Sequence, residues 1–268
     1  MSSYIAALPM YDWPERTAEV DAEWAVLRDL MRDEGIPAPE KLVRRNADVL
    51  SMPDDIRDGG GIEIAPDPSV LPADQLDLHV LWRHPALLIG QTCWGPMELG
   101  LARHVEVVGQ ADYSAFEGGQ GSLYSSAIVM RADAPGVQTV AANGTADLPV
   151  TSMRGRRLAF NSSDSLSGVL ALERDLQHIG QSLDIFSDRI LTGGHRNSIK
   201  AVANGEADVA AIDCRSWALA RRFEPAAEAL IVVGWTALRP GLPFVVSRHL
   251  PGKMIQSIRR IVARNAGT

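Results

Sequence analysis

The sequence has few cysteines, no long apolar run and no excess of basic residues, and each deficit excludes a class of protein. Its two cysteines, Cys93 and Cys214, lack C-x-x-C spacing. They provide neither a disulfide scaffold nor a metal framework, and we interpret both as free, buried thiols. No segment approaches the roughly 18 apolar residues of a membrane helix. With 33 acidic and 26 basic side chains and a net charge of -7, the surface would repel nucleic acid.

The remaining composition is that of a globular protein. Of the 268 residues, 46% are hydrophobic and 22% are charged, which leaves enough apolar area for a buried core. This length suits two domains, or one domain in two lobes. The first ten residues lack a basic segment and a long apolar core, so they do not resemble a secretory signal. A cytoplasmic location is expected from this start, or a periplasmic one if a signal was removed.

Short apolar segments alternate along the chain with segments of helical periodicity. The predicted strands lie at 4–8, 86–90, 105–108, 126–131, 157–161, 189–192, 209–212, 229–235 and 243–247. This alternation predicts an α/β fold with mainly parallel sheets. Ligands of such folds bind beyond the carboxyl ends of the strands. Those ends carry Tyr11, Gln91–Trp94, Asn161–Gly168 and Asp213.

The segment Phe160–Gly168 is crowded with hydroxyl groups directly before a predicted helix. Free backbone N–H groups and the positive end of the helix dipole favour an anion at such a place. A single Ser or Asp there would be an ordinary helix cap. This turn contains Ser162, Ser163, Asp164, Ser165 and Ser167. We therefore favour anion binding over capping alone.

A second strand-to-helix turn runs from Thr192 to Ser198 and contains His195, which titrates near neutral pH. Asp213 ends a later strand, where its carboxylate could meet a ligand amine or hold His195. Ser165 or Ser167 with His195 and Asp213 would also supply the residue types of a serine hydrolase. The sequence has no G-x-S-x-G elbow, and its Gly118–Gly121 loop does not match G-x-G-x-x-G. No cofactor and no metal site are predicted.

Several motifs together resemble one known family. They are Ala7–Asp12 (A-L-P-M-Y-D), Leu88–Cys93 (L-I-G-Q-T-C), Ser165–Gly168 (S-L-S-G), Gly194–Ser198 (G-H-R-N-S) and Gly205–Asp213 (G-E-A-D-V-A-A-I-D). In this order they resemble the phosphonate/phosphate ABC-transporter substrate-binding proteins, a branch of the type II periplasmic binding fold. The resemblance covers the chain from Tyr4 to about Ser247.

The resemblance implies two α/β lobes joined by two crossing strands, with the ligand clamped in a cleft between the lobes. The crossings are expected near 126–131 and 231–235. Lobe one would then be residues 1–126 plus 236–268, and lobe two would be residues 127–235. The implied partners are a small anionic or zwitterionic ligand and the permease of an ABC-type uptake system. A cytoplasmic ligand sensor and a cofactor-biosynthetic enzyme on the same fold stay open as alternatives.

The resemblance also implies a set of ligand-binding residues. The anion-holding turn of the family matches Ser165, Ser167 and Gly168, with Ser163 in the same hydroxyl-rich segment. Beyond the turn, the matched residues are His195, Asp213, Tyr11, Gln91 and Thr92. Leu166 stands where the family turn usually has a third hydroxyl group, so one side-chain donor is missing and a tetrahedral phosphonate is a weaker match. The expected ligand is a phosphonate, a phosphate ester or a similar small anion, with another anion or a zwitterion left open.

Overall fold

The computed structural model describes residues 3–52 and 54–265. Its strands are β1 (Ile5–Ala7), β2 (Ile56–Arg57), β3 (Glu63–Ala65), β4 (Leu87–Gln91), β5 (Val105–Gln110), β6 (Gly119–Gln120), β7 (Leu123–Tyr124), β8 (Ser126–Arg131), β9 (Arg157–Phe160), β10 (Asp188–Leu191), β11 (Val209–Asp213), β12 (Leu230–Trp235), β13 (Arg239–Pro240) and β14 (Pro243–Ser247). Each apolar segment predicted from the sequence overlaps one of these strands.

The helices fill the connections between the strands. They are α1 (Thr17–Asp33), α2 (Leu78–Arg83), α3 (Trp94–Glu98), α4 (Val150–Met153), α5 (Ala171–His178), α6 (His195–Ala203), α7 (Cys214–Phe223) and α8 (Gly252–Asn265). A π-helical turn, Leu166–Leu170, leads directly into α5. Among the described residues, no helix is both long enough and apolar enough to cross a bilayer.

The chain forms two compact units. Unit 1 contains residues 1–111 and 242–268, and unit 2 contains residues 112–241. Unit 2 therefore includes segments 112–126 and 236–241, which were expected in lobe one. Neither cysteine forms a disulfide, and Cys93 is only half-buried whereas Cys214 is buried. Burial raises the pKa of the Cys214 thiol, which keeps it protonated.

Unit 1 is built on a sheet with the strand order β1-β4-β14-β5. On one face, Ala6 and Val246 pack with Trp24 of α1 and Ile258 of α8. On the other face, Leu87 belongs to a second apolar cluster with residues of α2 and α3. Alternating side chains of the same strands therefore pack into two separate cores, as expected for a sheet covered on both sides.

Unit 2 is built on a sheet with the strand order β10-β9-β11-β8-β12. Its core joins Leu158 of β9 and Val209 of β11 to Leu172 and Leu176 of α5. The carboxyl ends of β9 and β11 lie at one edge of this sheet because the two strands are parallel. The hydroxyl-rich residues 161–168, which we call the serine turn, follow β9, and Asp213 ends β11, so the topology brings both to that edge.

Both sheets are mixed rather than mainly parallel. In unit 1, β14 is antiparallel to β4 and β5, and in unit 2, β8 is antiparallel to β11 and β12. The direction of β8 and β14 could not be predicted from the sequence, because both strands are apolar and almost wholly buried. Such near-continuous apolar runs are typical of parallel strands.

Candidate functional site

The serine turn contains a helix cap. Ser165 precedes the π-helical turn, and its Oγ accepts a hydrogen bond from the backbone N–H of Gly168 at 3.0 Å. The capping interpretation therefore holds for this one residue. A capping hydroxyl still carries its own proton, which it can donate elsewhere. Ser165 and Ser167 are 4% and 3% exposed, and their Oγ atoms lie 3.5 Å apart.

Gly168 is required by the side chain of Asn161. A Cβ atom at position 168 would lie 1.7 Å from Asn161 Oδ1, which any other residue would displace. Asn161 Oδ1 itself is shielded from solvent and has no hydrogen-bond partner among the described residues. The glycine thus leaves room for the Asn161 side chain beside the first helical turn. Asn161 lies in a strand-end segment predicted from the sequence, but its packing against Gly168 has no local sequence signal.

Ser167, His195 and Asp213 form a contiguous polar group. Ser167 Oγ lies 2.9 Å from His195 Nε2, and the same nitrogen lies 3.4 Å from Asp213 Oδ2. The other carboxylate oxygen of Asp213 accepts from the backbone N–H of Ser216 at 2.9 Å and caps α7. We call Ser165, Ser167, His195 and Asp213 the serine–histidine cluster.

The contacts of His195 favour one tautomer of its ring. A carboxylate oxygen can only accept, so we assign a hydrogen to Nε2, which lies 3.4 Å from Asp213 Oδ2 and 2.9 Å from Ser167 Oγ. Burial lowers the pKa of His195 below the ordinary histidine value, and the Asp213 carboxylate opposes that shift only in part. The ring is therefore neutral near pH 7 and its Nδ1 is an acceptor. Nδ1 is shielded from solvent and has no partner among the described residues.

This arrangement differs from a Ser–His–Asp triad. In a triad one imidazole nitrogen faces the serine while the other is held by the acid. Here the same atom, His195 Nε2, faces both Ser167 and Asp213. Nδ1 is not held by an acid, so the ring is not arranged to take the serine proton and pass charge to a carboxylate. The cluster presents hydroxyl donors and one ring acceptor, which is suited to binding.

The other predicted site residues are divided between the two units. Ser163 is exposed in the serine turn. Tyr11, Gln91 and Thr92 belong to unit 1, at the edge of the sheet where the parallel strands β1 and β4 end. Tyr11 comes after β1, Gln91 is the last residue of β4, and Thr92 follows it. All three are buried, and Thr92 Oγ1 has no hydrogen-bond partner among the described residues. Their joint action with the serine–histidine cluster stays a prediction.

A comparison with models of known protein families identifies the family of this chain. Residues 100–264, more than half of the 268-residue chain, match the model described as "ABC transporter, phosphonate, periplasmic substrate-binding protein". The chain belongs to this family. It is a family of substrate-binding proteins and not of enzymes. The resemblance drawn from the sequence motifs is thereby confirmed.

Solved structures of low sequence identity share the fold. PhnD1 from Prochlorococcus marinus in complex with methylphosphonate has a TM-score of 0.62 at 13% identity, covering 97% of this chain and 83% of that one. A binding protein component of an ABC phosphonate transporter from Pseudomonas aeruginosa has a TM-score of 0.60 at 15% identity, covering 96% and 72%. A Xanthomonas citri protein bound to chloride has a TM-score of 0.59 at 17% identity, covering 98% and 84%.

These similarities show the type II periplasmic-binding-protein fold, as the sequence predicted. No curated protein matches the chain significantly. Which solute this member of the family binds therefore has to be argued from its own residues.

Proposed function

We propose that this substrate-binding protein holds a small phosphonate-type anion at the serine–histidine cluster and does no chemistry on it. The observation that carries the proposal is the contact of His195 with both Ser167 and Asp213 at the edge where strands β9 and β11 end. Membership in the phosphonate substrate-binding family supports it. So does the burial of these polar groups, since burial strengthens hydrogen bonds to an ion.

Ser167 is the main proposed donor. With the single Nε2–H of His195 facing both Ser167 Oγ and Asp213 Oδ2, the hydroxyl proton of Ser167 points away from the ring and is available to a ligand oxygen. Ser165 is in a similar position, because its oxygen accepts from Gly168 and its own proton stays free to donate. Both residues lie at the start of the π-helical turn that continues into α5. The dipole of that helix adds attraction for a negative charge.

His195 and Asp213 would set the protonation state of the ligand. A neutral ring with an acceptor at Nδ1 favours a ligand that carries a hydrogen, such as the P–OH of a monoanion or an N–H group. Donation from Nδ1 to an anionic oxygen would require the protonated ring, which burial disfavours. A monoprotonated phosphonate or phosphate ester, or a zwitterion, fits this better than a fully ionised anion.

The wider role follows from the family rather than from the cluster. Delivery of the ligand to an ABC-type permease remains the predicted role. Tyr11, Gln91 and Thr92 of unit 1 remain predicted ligand contacts.

Isothermal titration calorimetry with methylphosphonate and with inorganic phosphate tests the proposal. A hydrogen bond to a charged group contributes about 1.5–3 kcal/mol. Ser165→Ala and Ser167→Ala should therefore each weaken binding by roughly tenfold or more, and the double variant should weaken it further. Phosphorus NMR of the ligand after incubation should show no product.

Ser198→Ala is the matched control. Ser198 is also a buried serine in unit 2, but its Oγ lies 2.6 Å from Thr192 Oγ1 and donates to the Gly194 carbonyl. Its loss should lower stability and leave affinity unchanged. Unaltered affinity in a folded Ser165/Ser167 double variant would place the site elsewhere, and turnover abolished by His195→Ala would replace the binding role with an enzymatic one.

A further inference from the structure

Strand β8 starts at the same edge of the unit 2 sheet as the serine–histidine cluster. Because β8 is antiparallel to β11, its first residue, Ser126, pairs directly with Asp213, the last residue of β11. Residues directly opposite in an antiparallel pair project their side chains to the same face of the sheet, about 4.5–5.5 Å apart at Cβ. Ser126 therefore lies beside the carboxylate that holds His195.

The backbone of Ser126 is fixed on its other side by Thr236. The N–H of Ser126 donates to Thr236 Oγ1 at 2.8 Å, and the N–H of Thr236 donates back to the carbonyl of Ser126 at 3.0 Å. Ser126 is thus held between Asp213 and the residue that follows β12. A hydroxyl group on such a rigid backbone is pre-organised, so little conformational entropy would be lost when it bonds a ligand.

The side chain of Ser126 is buried but is not used by the protein. The residue is 1% exposed, and its Oγ has no hydrogen-bond partner among the described residues. Leaving a buried hydroxyl unsatisfied is costly, so most such groups in proteins have a partner. His195 Nδ1 and Asn161 Oδ1 are also without partners, and they belong to the elements that surround this edge.

We propose that Ser126 is a further ligand-binding residue, whose hydroxyl group bonds the ligand next to Asp213. This inference rests on the proposed function, because it assigns another contact within the same site. A hydroxyl can both donate and accept, so Ser126 can serve a ligand oxygen or a hydrogen that the ligand carries. Ser126 has no strand-end signal in the sequence, because it stands at the amino end of an antiparallel strand and not at the carboxyl end of a parallel one.

Ser125→Ala is the matched control for Ser126→Ala. Ser125 is also 1% exposed with an Oγ that has no partner among the described residues. However, consecutive residues of an extended chain point to opposite faces, and the Ser125 carbonyl accepts from the N–H of Cys214. Ser125 thus shares the face of Cys214, and Ser126 shares the face of Asp213. The two variants remove the same atom at adjacent positions on opposite faces.

The experiment is calorimetric titration of both variants and of the wild-type chain with methylphosphonate, together with thermal unfolding without it. Ser126→Ala should weaken affinity about fivefold or more and should leave the unfolding temperature unchanged or raised, since it removes an unsatisfied group. Ser125→Ala should bind within about twofold of wild type. A purely structural role for Ser126 would instead lower the unfolding temperature and spare affinity, and would overturn the inference.

Two further outcomes separate this inference from the proposed function. If the wild-type chain binds neither methylphosphonate nor phosphate, both proposals are overturned. If the wild type binds and Ser167→Ala weakens binding while Ser126→Ala does not, the serine–histidine cluster stands and the role of Ser126 is overturned alone.

Discussion

Each unit of the chain contains a strongly buried histidine, and the two histidines are bonded differently. In unit 1, His84 is 1% exposed, its Nε2 donates to the Leu50 carbonyl at 2.9 Å, and its Nδ1 accepts from the Ala86 N–H at 3.1 Å. In unit 2, the His195 side chain is 12% exposed, and its Nε2 faces both Ser167 and Asp213. Its Nδ1 has no partner among the described residues.

The contrast separates a structural histidine from one that we propose binds the ligand. Burial lowers the pKa of both rings, so neutrality alone does not distinguish them. What differs is whether the protein satisfies both nitrogens. Both ring nitrogens of His84 bond to backbone groups, whereas His195 Nδ1 has no partner in the part of the chain that the structure describes. Substituting each histidine in turn tests whether the two have these different roles.

The largest expected effect is on stability and belongs to His84. His84→Ala removes two hydrogen bonds and leaves the Leu50 carbonyl and the Ala86 N–H without their partner. We expect the free energy of unfolding to fall by about 2–4 kcal/mol. Affinity for methylphosphonate should stay within about twofold of wild type in the folded fraction. Denaturant unfolding and calorimetry measure the two quantities. A variant as stable as wild type would show that His84 is not the structural counterpart proposed here.

The next effect is on affinity and belongs to His195. His195→Ala removes the ring acceptor and the group that orients the Ser167 hydroxyl. We expect affinity to fall about tenfold, equivalent to about 1.4 kcal/mol. Stability should change by under about 1 kcal/mol, because the removed ring carried an unsatisfied buried nitrogen. The reverse pattern, with a large loss of stability and unchanged affinity, would make His195 a second structural histidine.

The smallest effect is the pH dependence of stability. The pKa of both histidines is lowered by folding, so the unfolded chain takes up protons first as the pH falls. Their contribution to the free energy of unfolding is therefore complete above about pH 7 and is lost as the pH falls below about 6.5. His195→Gln should reduce the slope of the free energy of unfolding against pH by at most about 1.4 kcal/mol per pH unit. His104, whose pKa burial also lowers, continues to contribute in that variant. Chemical denaturation from pH 7.5 to 5.5 measures the slope, and an unchanged slope would contradict the assigned protonation.

Much of the fold could be predicted from the sequence because apolar β-branched segments and strand-end polar residues are local signals. Ser165, Ser167, His195 and Asp213 were identified in this way, and the structure places them at one edge of one sheet. The structural role of His84 left no sequence signal, because its partners Leu50 and Ala86 are backbone groups. The direction of β8 could not be predicted from the sequence either, so Ser126 was not expected near Asp213. The tautomer of His195 depends on distances that no sequence pattern specifies.

The most direct test of the account is a crystal structure of the chain with methylphosphonate bound. The account predicts phosphonate oxygens within hydrogen-bond distance of the Ser165 and Ser167 hydroxyl groups, with His195 Nδ1 facing a hydrogen of the ligand. Methylphosphonate bound at other residues, with the serine–histidine cluster making only its contacts within the protein, would contradict it.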